Sequence, residues 1–194
     1  TSSTIAVTEN HVWTVFEEDH TLSRLSLADR SLTSYDICES PRTLAVQEQL
    51  VGVTCEGSSQ LAILNSESET ITYVDFPESS FPYGVAGRNE EWWVTLRATG
   101  EIAHIQNNQL NLISIGEDPR GISLLSDGRV VTPRWRSSTN GGEVYILDGH
   151  QTSVVQLPID IAGDSDNTTG GIPNLLEVAI PSPDGIEVAI PMLH

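Results

Sequence analysis

The residues best equipped for chemistry in this chain are its arginines. All nine basic residues are arginine, and lysine is absent. A guanidinium presents a planar fork of N–H donors that matches the paired oxygens of a carboxylate or phosphate. Arg42, Arg97, Arg120, Arg134 and Arg136 flank short apolar runs in a way that brings them to one side of the molecule. Gathered there, they would bind a small anionic ligand or a partner protein. The competing expectation is that they pair with acids on the same side, among them Glu39, Glu56, Glu117 and Asp118. Such surface pairs are worth roughly 0–1 kcal/mol each. Trp135, between Arg134 and Arg136, either stacks on a ligand ring or packs against the rim.

Cys38 and Cys55 are the only cysteines. Folding a hairpin about Glu48 sets Cys55 opposite Pro41 and near Cys38, so a disulfide is expected. A disulfide would point to an oxidising, extracellular or periplasmic compartment. Asp160, Asp164, Asp166 and Asn167 crowd one polar stretch and could offer oxygen ligands to Ca²⁺. Their spacing fails the EF-hand pattern, so the stretch reads as a solvated acidic loop. Asn167-Thr168-Thr169 is a glycosylation sequon, meaningful only in a eukaryotic secretory route. His11, His20, His104, His150 and His194 show no metal-ligand spacing, and Glu17-Glu18-Asp19-His20 reads as a wet loop. No catalytic constellation, metal site or cofactor site is expected in this chain.

The elements that must position these residues repeat. Pro41, Pro82, Pro119 and Pro173 each open an apolar run, spaced by 41, 37 and 54 residues. In the middle two units, and in that of Pro41, a second apolar run ends in Val-Thr: Val53-Thr54, Val94-Thr95 and Val131-Thr132. A unit of about 40 residues holding four short strands marks a propeller blade. No stretch sustains the 3.6-residue apolar period of a helix. The expected fold is all-β: a β-propeller of four-stranded antiparallel blades over 3–37, 42–76, 83–115 and 120–157. Two strands of a fifth blade follow over 175–193, after a loop insertion at 158–173. Blade one opens with a strand from Ser3 to Thr8, blade four with Gly121–Leu125, and blade five with Leu175–Ile180. Alternating strand direction places the blade-to-blade connectors and the loops between second and third strands on one face, the connector face. Arg42 and Arg120 start the channel-lining strands of their blades there. The part-blade implies a portion of a larger ring, about seven-bladed, closed by further blades or a second chain.

The runs Ser126-Asp127-Gly128-Arg129-Val130-Val131-Thr132, Ser182-Pro183-Asp184-Gly185 and Trp93-Val94-Thr95 resemble the YVTN-type β-propeller repeat of bacterial and archaeal surface and periplasmic proteins. The series Pro119-Arg120-Gly121, Gly141-Gly142-Glu143-Val144 and Gly171-Ile172-Pro173-Asn174 is similar to propeller modules that precede c-type cytochrome or di-haem peroxidase-like domains. The resemblance implies a possible haem only in a neighbouring domain, because this chain has no Cys-x-x-Cys-His.

Composition bounds the rest. With 194 residues, 38% apolar and 19% charged, the chain suits one globular unit. Its net charge of −18 repels nucleic acid and anionic membranes. No apolar run is long enough for a membrane helix. The start at Thr1 without Met is consistent with a removed leader or tag. The expected function is a non-catalytic secreted or periplasmic module that binds a partner protein or anionic ligand on its connector face, within a larger redox protein. The alternatives are a fragment of a propeller enzyme, lactonase-like or quinoprotein dehydrogenase-like, and a surface-layer structural protein.

Overall fold

The computed structural model describes residues 2–149, 151–159, 171, 173–185 and 187–191. The described residues are all-β, and their strands follow one another in space in chain order. Blade one holds β1 (Ile5–Val7), β2 (His11–Phe16), β3 (Thr21–Ser26) and β4 (Leu32–Asp36). Blade two holds β5 (Pro41–Gln47), β6 (Leu50–Cys55), β7 (Gln60–Asn65) and β8 (Thr70–Asp75). Blade three holds β9 (Pro82–Arg88), β10 (Glu91–Leu96), β11 (Glu101–Gln106) and β12 (Gln109–Ser114). Blade four holds β13 (Ser123–Leu124), β14 (Val130–Pro133), β15 (Gly142–Asp148) and β16 (Gln151–Leu157). The pair β17 (Ile180–Pro181) and β18 (Val188–Ala189) begins a fifth. The sheets do not close into a ring, so this is a partial β-propeller.

Position within a blade explains the sequence of each strand. In blades two and three the second strands are covered on both faces by neighbouring blades, and β6 and β10 are buried at nearly every position. Such strands read as continuous apolar runs. Outermost strands face water, and β12 and β16 are exposed almost throughout. Hairpins turn where the backbone must take positive φ: Asn107 and Asn108 sit at 51° and 60° between β11 and β12. Asparagine tolerates this region because its short side chain bonds locally.

The core is four layers between successive blades. Trp13 and Leu22 of blade one meet Leu44, Val51, Val53 and Leu64 of blade two. Leu61 and Phe76 meet Val85, Trp92 and Val94. Trp93 and Ile102 meet Ile122, Val130 and Leu147. Leu125, Val131 and Val144 meet Ala179. Each fully buried aliphatic or aromatic side chain contributes on the order of 1.5–3 kcal/mol.

Three strands differ from the sequence reading. Expected over Ser3–Thr8, the first strand is limited to Ile5–Val7, because Ser3 pairs with Leu44 of blade two and Ser2 with Ile122 of blade four. Of Gly121–Leu125, only Ser123–Leu124 joins the ladder, since the Gly121 N–H is donated to the Glu177 carbonyl instead. Leu175–Ile180 forms no strand before Ile180, because its backbone bonds sideways to blade four: Leu176 N–H to the Trp135 carbonyl, Glu177 carbonyl to Gly121. The acidic stretch with Asp160, Asp164, Asp166 and Asn167 lies outside the described residues, as do His150 and His194.

Candidate functional site

The Val-Thr ending has a mechanical role that sets the site. Thr95 sits where the β9–β10 ladder shifts register, between Val94 and Leu96. Its hydroxyl accepts the Gly84 N–H at 2.8 Å and donates to the Arg120 carbonyl of the next blade at 2.5 Å. Thr54 does the same, accepting from Thr43 N–H at 3.0 Å and donating to the Tyr83 carbonyl at 2.7 Å. Each threonine therefore ties its own inner strand to the inner strand of the following blade. Space for the approach comes from glycine: a Cβ on Gly84 would run into the Arg120 carbonyl oxygen. The residues carried to the mouth of the channel by these ties are Tyr83 and Arg120; Arg42 holds the same place in blade two without such a tie, because blade one carries Val15 where a threonine would stand.

A second ring of positions surrounds them. The residue after each second strand is Glu17, Glu56, Arg97 and Arg134 in blades one to four. Arg42 Nη1 donates to Glu17 at 2.6 Å, while its Nε donates to Glu56. Arg97 bonds the other oxygen of Glu56, whose side chain is 10% exposed. An ion-pair chain thus runs Glu17–Arg42–Glu56–Arg97 across three blades. Arg134 bonds Glu117 and, at 2.8 Å, Glu143. The hydrogen bond from Arg134 holds the Glu143 carboxyl below the usual carboxylate range, against the opposing effect of burial. Burial pushes the Tyr145 phenol, which donates to Glu143 at 3.1 Å, up to about 12, with the Glu143 charge adding to it.

Arg120 is held differently. Its guanidinium lies 3.9 Å from the Trp135 ring centroid and 5.0 Å from that of Tyr83. Such cation–π contacts are worth about 0.5–2 kcal/mol each. Its nearest carboxylates, Asp118 and Glu177, stand at 3.7 and 3.9 Å, outside hydrogen-bond reach. Its Nε is buried with no hydrogen-bond partner. Tyr83 donates its hydroxyl to Glu177 Oε1 at 2.6 Å, and burial, with Glu177 next, raises the phenol pKa.

A cavity of about 260 Å³ opens at this mouth, lined by Ser2, Thr4, Glu17, Arg42, Tyr83 and Glu177 among others. Of the arginines marked in the sequence, Arg42 alone lines it; Arg120 reaches it through Tyr83 and Glu177, and Arg97 joins by way of Glu56. Arg134 belongs to the neighbouring Glu117–Glu143 group. Arg136 is exposed, with no ion pair among the described residues. Trp135 is spent on Arg120. Cys38 and Cys55 are joined as a disulfide with Cα atoms 5.7 Å apart, and Cys55 pairs with Pro41 in the ladder beside Arg42. Sequence reasoning missed Glu17 and Glu177. Glu17 was within reach of it, since it occupies the same post-strand position as Glu56. Glu177 was hidden because its stretch reads as the first strand of blade five, whereas its backbone bonds sideways to blade four.

No protein-family model and no curated protein sequence matches the chain. Solved structures do. Virginiamycin B lyase from Staphylococcus aureus superposes with a TM-score of 0.71 at 19% identity, over 81% of this chain and 56% of that one. A streptogramin B lyase gives 0.74 at 17%, over 99% and 61%. A protein of unknown function from Desulfotomaculum acetoxidans gives 0.73 at 12%, over 98% and 62%. At these identities the likeness is one of fold, a β-propeller. The chain spans between 56% and 62% of the length of these structures.

Proposed function

We propose that this chain is a recognition module of a β-propeller protein, non-catalytic in itself. It receives a carboxylate at the connector-face mouth, carried by a small ligand or by an acidic side chain of a partner protein. The observation that carries this reading is Arg120. Two aromatic rings fix its guanidinium, and the acids beside it stand off at 3.7 and 3.9 Å, so its fork is positioned but not closed. A carboxylate that closes the fork gains charge-assisted hydrogen bonds of about 1.5–3 kcal/mol without reorganising the arginine. Exposed Arg136 follows Trp135, the ring over Arg120, in the chain. The disulfide supports a secreted or periplasmic setting.

The test is calorimetric titration with succinate and with an oligoglutamate peptide, at low salt. Arg120→Gln is expected to weaken binding about tenfold or more, and Trp135→Ala by a smaller factor. Arg129→Gln, whose side chain pairs with Asp127 in a turn on the opposite face, leaves it unchanged. Equal affinity in wild type and Arg120→Gln would overturn the proposal.

A further inference from the structure

We infer that the mouth cavity binds a small zwitterion, of the class of free α-amino acids, more tightly than a simple anion. This rests on the reading of the mouth as a carboxylate site, but seats the carboxylate on Arg42, the arginine that lines the cavity, with Arg120 behind Tyr83 and Glu177, and names what else the ligand carries. Both signs of charge line one cavity of about 260 Å³: Arg42 on one wall, Glu17 and Glu177 on others. The acids are the more exposed partners. Glu17 and Glu177 side chains are 45% and 41% exposed, against 33% for Arg42 and 17% for Arg120. With a net charge of −18 behind them, these carboxylates oppose the approach of an anion. A molecule with no net charge meets no such barrier.

The hydrogen bonding leaves places for both ends of such a ligand. Arg42 is anchored through Nε on Glu56, so its Nη1 can turn from Glu17 to a ligand carboxylate without releasing the side chain. Glu177 is anchored through Oε1 by the Tyr83 hydroxyl. Its Oε2, 3.9 Å from Arg120, accepts no hydrogen bond among the described residues and is the acceptor an ammonium in the cavity would use. Glu17, released by Arg42, is a second acceptor. One ion pair opens and three form, Arg42 with the ligand carboxylate and the ammonium with both Glu177 and Glu17, so no uncompensated charge is left at the mouth. Pro41, Val15 and Val178 make one apolar wall, and Ser2, Ser3, Thr4 and Thr43 line the rest with hydroxyls. Val15 stands where blades two and three carry Thr54 and Thr95, one residue before the end of the second strand. An aliphatic side chain fits that wall.

The experiment is a calorimetric titration of the chain, at low salt, with L-leucine, N-acetyl-L-leucine and L-leucine methyl ester. L-leucine is expected to bind saturably. Removing the cation by acetylation, or the anion by esterification, is expected to weaken binding about tenfold each. Glu17→Gln, an exposed loop change that leaves the core intact, is expected to weaken L-leucine about tenfold while sparing N-acetyl-L-leucine. Arg42→Gln is expected to weaken both, with circular dichroism checking its fold. If N-acetyl-L-leucine binds as tightly as L-leucine, the zwitterion inference falls and the carboxylate site stands. If the ester binds as tightly, the inference falls in favour of a cation site. If neither L-leucine nor N-acetyl-L-leucine binds, both the inference and the carboxylate reading of this cavity fail.

Discussion

At the scale of single residues, the molecule depends on side chains that serve two blades at once. Thr95 is fully buried and bridges Gly84 to Arg120. Thr95→Val keeps the shape and strands a buried N–H and a buried carbonyl. It is expected to cost about 1–3 kcal/mol in urea denaturation, with Thr95→Ser costing less. A loss no larger than that of Thr95→Ser would mean the hydroxyl bridges are energetically idle. Glu143 gives a pH dependence with a definite sign. Its folded pKa lies below its unfolded value, chiefly through the Arg134 hydrogen bond. Its contribution is therefore complete above the unfolded carboxylate range, roughly pH 4.3, and is lost as pH falls through the depressed folded value. Denaturation of wild type and Glu143→Gln should differ most near pH 6 and converge towards pH 2. A gap that persists unchanged at low pH would show that the substitution acts through packing alone.

At the scale of elements, inner strands are short and the connectors beside them are tied down. The Cys38–Cys55 disulfide, with a sequence separation of 17, fastens the connector from blade one to the end of β6. A loop of this length contributes about 3 kcal/mol by limiting the unfolded chain. Cys38→Ser with Cys55→Ser is expected to lower the denaturation midpoint accordingly. It should also loosen the Glu17–Arg42–Glu56 chain, because Glu56 directly follows Cys55. An unchanged midpoint would place the bridge outside the cooperative unit. The stretch from 173 to 179 shows the opposite logic. It has the apolar residues of a strand, yet Leu176 and Glu177 bond to blade four instead of to one another's ladder. That sideways attachment is what delivers Glu177 to the mouth.

At the scale of the whole molecule, blade one presents a sheet face that every other blade keeps covered. Ile5, Val7, Phe16, Leu25 and Leu32 are exposed, Val7 to 70%, whereas Leu44, Val51 and Val53 of blade two are buried against blade one. An apolar dye such as ANS is expected to bind the folded chain there. Val7→Asp with Leu25→Asp should abolish most of that signal and change stability by only about 0.5 kcal/mol per site. Undiminished dye binding would locate the apolar surface elsewhere. The propeller architecture and the Asn107-Asn108 turn were legible in the chain. They rest on a two-residue alternation and a unit of about 40 residues, which are properties of neighbouring positions. The arginines were legible as a group on one face, because strand parity alone assigns them. Their partners were not: Tyr83 meets Glu177 across 94 residues, and Ser2 meets Ile122 across 120. Which acid closes on which arginine depends on how far each blade is rotated about the axis. That rotation is set by side chains packed between sheets, not by any local pattern, so only the folded molecule decides that Arg42 is closed by two acids while Arg120 is left open between two rings.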